Sequence, residues 1–321
     1  MAPETASKRR LDTPGQAGEP TTVRSFLFVL LSAAALPRIA AAQAPALAEL
    51  WRIAAGTLSS PAALGRGPTG AFWNPAAVYD LPGLAGGIEV LQTPDVVSLS
   101  GVMGGVTQRI GRRIAVGALV GRLSIKGLVR TTTSPTSELG EIPVYAQLAG
   151  LSLGVRVGPA VLATMVRVHD TRVDARSDGG TTVDVGVRLE PTDRLTLAAA
   201  SRFAPAVLGG DRSTDYGVAG EYRIRTTTVW GARTLVVGRY GINYRPDVGV
   251  EHGFSAGVAL QDRLRVDLGW TREQGFGTTA WRSVVSVGLL VGRYAIEIAR
   301  GSGFNGLGAS FRLSLNANIL P

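Results

Sequence analysis

From residue 85 onward the chain alternates: apolar residues and small or polar residues take turns, segment after segment. A period of two belongs to β-strands, whose successive side chains point to opposite faces. In Leu264-Arg265-Val266-Asp267-Leu268-Gly269-Trp270, one face is Leu, Val, Leu and Trp, and the other is Arg, Asp and Gly. Val183 to Leu189, Leu151 to Val157, Leu307 to Leu315 and Tyr294 to Ala299 repeat the pattern. Weaker versions run over 85–92, 96–106, 113–125, 160–171, 195–203, 214–224, 228–245, 253–260 and 281–290. That makes about 14 segments, near the ten-residue length of a tilted membrane strand. Turn residues separate them: Gly158-Pro159, Asp178-Gly179-Gly180, Pro191-Thr192-Asp193, Gly209-Gly210-Asp211 and Gln261-Asp262-Arg263. Links this short demand antiparallel hairpins. The absence of an amphipathic helix between strands argues against a parallel α/β sheet.

A soluble β-sandwich also alternates, so the composition of the second face decides. A sandwich turns a polar outer face to water. Here that face mixes Arg, Asp and Glu with many Gly, Ala and Ser, in a chain with 42 glycines and only 18% charged residues. Small residues suit the crowded inside of a barrel, with opposite charges pairing across the lumen. Trp270, Trp281, Tyr294, Phe203 and Tyr222 stand near strand ends, where interfacial girdles lie. Beyond the N-terminus no run of about 18 apolar residues could form a spanning helix. The expected fold is all-β: a transmembrane antiparallel β-barrel of about 14 strands with a short N-terminal lumenal hatch.

The N-terminus reads as an address. Arg24, the apolar run Phe26 to Leu36 and then Ala40-Ala41-Ala42 form a secretory signal with an A-x-A site, so cleavage would leave Gln43 first. Arg9-Arg10 lies too far from the apolar run for a twin-arginine signal, and a start at Val23 would account for the polar leader. The expected organisation is a cleaved leader and signal peptide over 1–42, a hatch over 43–84 and a barrel over 85–321. The destination is the outer membrane of a Gram-negative-type bacterium.

Residues 43–84 lack the alternation. They read as a short helical start, Ala46 to Ala55, and then an irregular Gly/Pro/Ala segment. Gly65, Gly67 and Gly70 match G-x-G-x-x-G, but no apolar strand precedes them, and Pro68 and Pro75 break any following helix. A dinucleotide site needs both a strand before and a helix after. The run Phe72-Trp73-Asn74-Pro75-Ala76, between a signal and the first strand, resembles the start of FadL-type outer-membrane proteins, and the PorV-like branch is closest in style and size. The resemblance implies that this segment plugs the lumen, with Asn74, Pro75 and Ala76 as its motif. It also implies a 14-stranded barrel. Unlike the FadL-type fatty-acid transporters, this chain has short loops, the longest candidate being Lys126 to Pro143, and it does not end in an aromatic residue. The plug's amides are expected to meet inward polar groups such as Asp184 or Arg265, and Asn74 to fix it by hydrogen bonds.

Chemistry-bearing residues are few. There is no cysteine, hence no disulfide or thiolate site, and the two histidines, His169 and His252, are far apart. No nucleophile, base and orienting group can be assembled, so the chain reads as no enzyme. No cofactor or metal is expected. The net charge is +9, but the arginines are spread along the chain rather than clustered, which argues against nucleic acid. Among the inward arginines, Arg156, Arg188, Arg265 and Arg282 are candidate contacts for a carboxylate or phosphate headgroup. Arg223 and Arg312 belong to the same inward set, and the plainer reading pairs them all with Asp184, Glu221, Asp267 and Glu297. Two functions follow. One is a passive transporter or channel for a hydrophobic or amphipathic small molecule such as a fatty acid. The other, implied by the PorV-like resemblance, is a non-transporting scaffold or partner of secretion-system proteins. Outer-membrane lipid is the surrounding partner in either case.

Overall fold

The alternating segments close on themselves. A computed structural model of the chain describes residues 46–94, 97–130, 140–205, 214–229, 231–246, 248–275, 278–302 and 308–320. The leader and signal over 1–42 lie outside the described residues, as does the Gly209-Gly210-Asp211 turn. Fourteen strands follow one another around the wall: β1 (Leu84–Gln92), β2 (Leu99–Ile110), β3 (Ile114–Ile125), β4 (Val144–Val157), β5 (Ala160–Val173), β6 (Arg176–Thr192) and β7 (Leu195–Pro205). Then come β8 (Asp215–Val229), β9 (Ala232–Arg245), β10 (Gly249–Leu260), β11 (Leu264–Gly275), β12 (Thr278–Val291), β13 (Tyr294–Gly301) and β14 (Ser310–Leu320). Each strand pairs antiparallel with its sequence neighbours, and β1 pairs with β14 from Leu84↔Leu320 to Gln92↔Phe311, closing the barrel. Closure leaves no unpaired edge, which is what a backbone in hydrocarbon requires.

Alternation sorts the side chains as expected. Leu268, Val266 and Trp270 stand exposed on the outside, whereas Asp267 is buried inside. Val90, Leu313, Ile298, Val287 and Val166 are likewise exposed outside, forming an apolar belt. Trp270, Trp281, Tyr294 and Tyr222 also face outward. Phe203 does not. The expected girdle position is wrong, because Phe203 has a positive φ of 60° beside a register shift between β6 and β7, which turns its ring into the lumen at 2% exposure.

Two turns also move. Asp178-Gly179-Gly180 is not a turn but part of β6, with Gly179 opposite Asp170 and Gly180 opposite His169. The chain reverses instead at 174–175, where Asp174 takes a left-handed φ of 58°. An Asp tolerates that conformation, so a glycine pair was not needed. The segment 228–245 is not one strand either: β8 runs to Val229 and β9 starts at Ala232, with a register shift between Arg223 and Arg225.

The two ends of the barrel differ. At the end where β1 begins and β14 finishes, the links are 111–113, 158–159, 193–194, 230–231, 261–263 and 292–293. Gly158 and Gly292 reverse the chain with φ near 59°, which costs a glycine little. The opposite end carries 93–98, 126–143, 206–214 and 302–309 as well as shorter links.

The core lies inside the barrel, between the wall and the N-terminal segment. That segment consists of helix α1 (Ala46–Ala55), a 3-10 turn at Ala62–Leu64, a single helical turn α2 (Gly67–Gly70) and a 3-10 turn at Pro75–Tyr79. Its proline positions obey local rules: Pro68 and Pro75 sit in the first turn of their helices, where a missing N–H costs nothing. Trp51, Leu64, Phe72, Trp73, Ala76 and Val78 are all buried.

Candidate functional site

The hatch fits because the wall's inward face is notched with glycine. A Cβ at Gly105 would meet the Pro68 carbonyl oxygen at 2.8 Å. At Gly154 it would meet Val78 at 2.7 Å, and at Gly269 the Ser59 carbonyl oxygen at 2.9 Å. These notches account for the glycine content of the second face. The segment starts near the long-loop end, with Gly56 against Arg282 and Gly301, and descends past β11 and β10 to Tyr79, whose hydroxyl donates to the Arg112 carbonyl at the short-turn end. It contributes no strand to the sheet among the described residues.

Asn74 is the polar centre of the segment and is fully buried. Its Oδ1 accepts from Ala76 N at 2.9 Å and so caps the following 3-10 turn. Its Nδ2 donates to Ala63 O at 2.7 Å, and at 3.4 Å to the wall carbonyls of Val187 and Ala199. Phe72 and Trp73 pack with Trp51, at 4.5 Å between the Trp51 and Phe72 centroids and 4.6 Å between Phe72 and Trp73. Phe203 from β7 completes the cluster, 6.3 Å from Phe72. Pro75 and Ala76 sit in the notch at Gly186.

One arginine organises this side. Arg167 on β5 is 1% exposed and lies over the Phe72 ring at 4.4 Å and the Phe203 ring at 5.3 Å. Its Nη2 donates to Phe72 O at 2.5 Å and pairs with Asp184. Asp184 also accepts from Phe203 N at 2.7 Å. The expectation that Asp184 or Arg265 would meet the hatch amides is therefore corrected: Asp184 bonds the wall, and Arg265 bonds Asp267 at 2.5 Å. The hatch carbonyls are met by Arg167, by Arg188, which donates to Gly65 O at 2.6 Å, and by Arg109, which donates to Tyr79 O.

The four arginines singled out from sequence do not converge. Arg188 is buried against the hatch and paired with Asp80. Arg282 pairs with Glu273 at 2.9 Å near the long-loop end. Arg156 lies exposed at the short-turn end, 5.7 Å from the Tyr79 ring. Arg265 belongs to a chain of charges on the other side of the lumen: Arg66–Glu221 at 2.6 Å, Glu221–Arg239 at 2.6 Å, Arg239–Asp267 at 2.8 Å and Asp267–Arg265. A cavity of about 90 Å³ opens beside this chain, lined by Arg66, Arg223, Arg239, Arg265 and the apolar Leu235 and Val237. A second, of about 20 Å³, lies between hatch and wall among Trp51, Trp73, Leu91, Met103 and Leu123, next to Glu89 and Arg312. Those two residues pair at 2.5 Å, and Thr69 of the hatch donates to Glu89 at 2.6 Å.

Sequence reading missed Arg167, Arg202 and Arg239. Arg202 pairs with Asp215 at 3.6 Å, and Arg52 of the hatch holds the same carboxylate at 3.2 Å. The inward parity of Met165, Arg167 and His169 was the available signal. His169 is buried inside the wall, while His252 stacks outside on Tyr240 at 6.2 Å, so the histidines share no site.

These features define a closed transmembrane-type barrel whose lumen is filled by its own N-terminal segment. No protein-family model matches this sequence, and no curated protein matches it. Among solved structures, the toluene transporter TodX of Pseudomonas putida is 11% identical, with a TM-score of 0.52 over 88% of this chain and 98% of TodX. That likeness is one of fold. The outer-membrane protein Omp33 of Acinetobacter baumannii is 6% identical over 74% of this chain and 98% of its own, with a TM-score of 0.45. A mutant Rh. blastica porin is 10% identical over 73% and 98%, with a TM-score of 0.42.

Proposed function

We propose that this protein is an outer-membrane barrel, without enzymatic activity, that passes a small amphipathic molecule when its hatch shifts. The observation that carries this reading is how the hatch is held. Among the described residues it shares no strand pairing with the wall; side-chain hydrogen bonds, ion pairs and packing hold it. Such contacts can be exchanged without opening the sheet ladder. The resemblance of Phe72-Trp73-Asn74-Pro75-Ala76 to FadL-type hatches supports the same role. So does the juxtaposition of apolar side chains with charge at both cavities, which suits a molecule with a tail and an anionic head. Arg66 and Arg265 are the headgroup contacts in this reading, because they face the larger cavity and remain partly exposed. Short turns face the periplasm and long loops the exterior, as in other outer-membrane barrels.

Deletion of residues 60–80 tests the reading. The variant should insert, resist detergent unheated as the parent does, and conduct in planar bilayers where the parent is closed. It should also speed entry of a fatty acid into proteoliposomes. Normal insertion with no gain in conductance overturns the plug.

A second reading has its own observation. Cavities of about 20 and 90 Å³ are far below the roughly 300–1,000 Å³ of ordinary ligand sites. A permanently filled lumen suits a scaffold for secretion-system proteins, and the same deletion separates the two.

A further inference from the structure

Each of the six short hairpins carries an arginine in its turn or within two residues of it. The β2–β3 turn holds Arg112 and Arg113; Arg156 stands at the β4–β5 turn and Arg194 in the β6–β7 turn. Arg233 follows the β8–β9 turn, Arg263 ends the β10–β11 turn, and Arg293 lies in the β12–β13 turn. All seven are exposed. The acids of the same rim are Glu190, Asp193 and Asp262, and the ion pair formed there, Arg233–Asp262, is long at 3.7 Å with both side chains more than half exposed. Such a pair contributes little. Arg156 donates instead to Gly158 O at 3.2 Å and Arg293 to the Tyr294 hydroxyl at 3.0 Å. The opposite rim mixes its charges: Arg130 pairs with Asp174, and Lys126, Arg172 and Arg176 share it with Glu141 and Asp178.

The apolar belt runs up to these turns. Ile110 and Ile114 flank Arg112 and Arg113, Val157 follows Arg156, and Val291 and Tyr294 flank Arg293, all exposed on the outside. Hydrocarbon that covers these side chains ends at the level of the guanidinium groups. Lipid phosphates therefore lie where the arginines lie.

We infer that this rim is a collar for anionic phospholipids: Arg156 turns inward to Tyr79 of the hatch, and the arginines of the other five short hairpins offer guanidinium groups to lipid phosphates in the adjoining leaflet. Guanidinium binds phosphate bidentately, and a cation near an anionic bilayer surface is attracted by its potential. The distribution decides between lipid and protein. A protein partner docks on one face, whereas lipid surrounds a barrel, and the arginines surround it too. The inference rests on the membrane-spanning part of the proposed function and not on passage through the lumen.

The test uses the full chain in phosphatidylcholine vesicles, with spin-labelled phosphatidylglycerol or phosphatidylcholine as the probe. The immobilised fraction next to protein should favour phosphatidylglycerol roughly two- to fivefold at low salt. The preference should fade at about 1 M salt, where charges are screened within about 3 Å. A variant with Arg112, Arg113, Arg194, Arg233, Arg263 and Arg293 changed to Gln should lose it. Replacing Lys126, Arg172 and Arg176 by Gln should leave it intact. Should the sixfold variant fail to fold, as judged by its gel shift on heating, Arg263→Gln with Arg293→Gln should still lower the preference. Equal immobilisation of both labels by the parent, or a preference that survives the substitutions, overturns the collar. Absence of any immobilised lipid overturns the membrane-spanning reading itself.

Discussion

The hatch meets the wall in two ways. Against β5 to β7 it is clamped: Phe72, Trp73 and Asn74 are buried with Arg167, Phe203 and the Gly186 notch, and the cavity that touches Trp73 is only about 20 Å³. Against β8 to β11 it is latched by Arg66, whose side chain is 47% exposed, on Glu221 beside a cavity of about 90 Å³. The difference teaches where motion would begin. Buried contacts lose much when one partner goes, because the other is left desolvated and unpaired. Half-exposed Arg66 can exchange its partner for water at little cost, and the buried Glu221 it leaves keeps Arg239 at 2.6 Å. In the proposed opening the clamp would therefore be the pivot and the latch the moving side.

Substitutions can break that contrast. The largest effect is expected of Arg167→Leu, which strands Asp184 in the core and should cost roughly 3–5 kcal/mol, read as a lower urea midpoint for loss of the gel shift on heating. Next comes Leu268→Arg, a defect of the wall alone: a charge facing lipid near the midplane costs roughly 2–4 kcal/mol and should reduce insertion. The neighbouring Asp267 is no neutral control, since it bridges Arg239 and Arg265. Gly186→Ala should cost roughly 1–3 kcal/mol by overpacking, because its Cβ would meet Pro75 at 2.8 Å and Ala76 N at 2.9 Å. It should also raise conductance by lifting the hatch off its pivot. The smallest stability effect belongs to Arg66→Gln, under about 1 kcal/mol, yet it should raise open probability in planar bilayers. If Arg66→Gln destabilises as much as Arg167→Leu, the two sides are alike and the pivot is misplaced.

Much of the wall was legible in the sequence because alternation is local. A strand reports its two faces residue by residue, so Leu268 outside and Asp267 inside could be read without knowing any partner. The helical start at Ala46–Ala55 was legible for the same reason, from its own residues. Partners across the lumen were not. Asp184 was recognised as an inward acid, but its cation, Arg167, lies on another strand, and that choice depends on barrel radius and strand stagger. Phe203 was misread because a positive φ at a register shift reverses its face, and alternation cannot report a bulge. The turn at 174–175 was missed because Gly179-Gly180 has the composition of a turn, while pairing with β5 holds it extended.

The seam between β1 and β14 has a further consequence, for the order of assembly. The enclosed segment lies upstream of β1, and closure requires β14, the last strand in chain order. A cylinder sealed first would have to admit Trp51, Phe72 and Trp73 through a finished end. Closing the wall at the β1–β14 seam after the filling is in place avoids this. If the seam closes last, the barrel is wrapped around its contents, and the register Ile88↔Leu315 and Val90↔Leu313 is the final pairing the wall acquires. A filling too bulky for the lumen would then hold the first and last strands apart, so gross overfilling should surface as a failure of insertion.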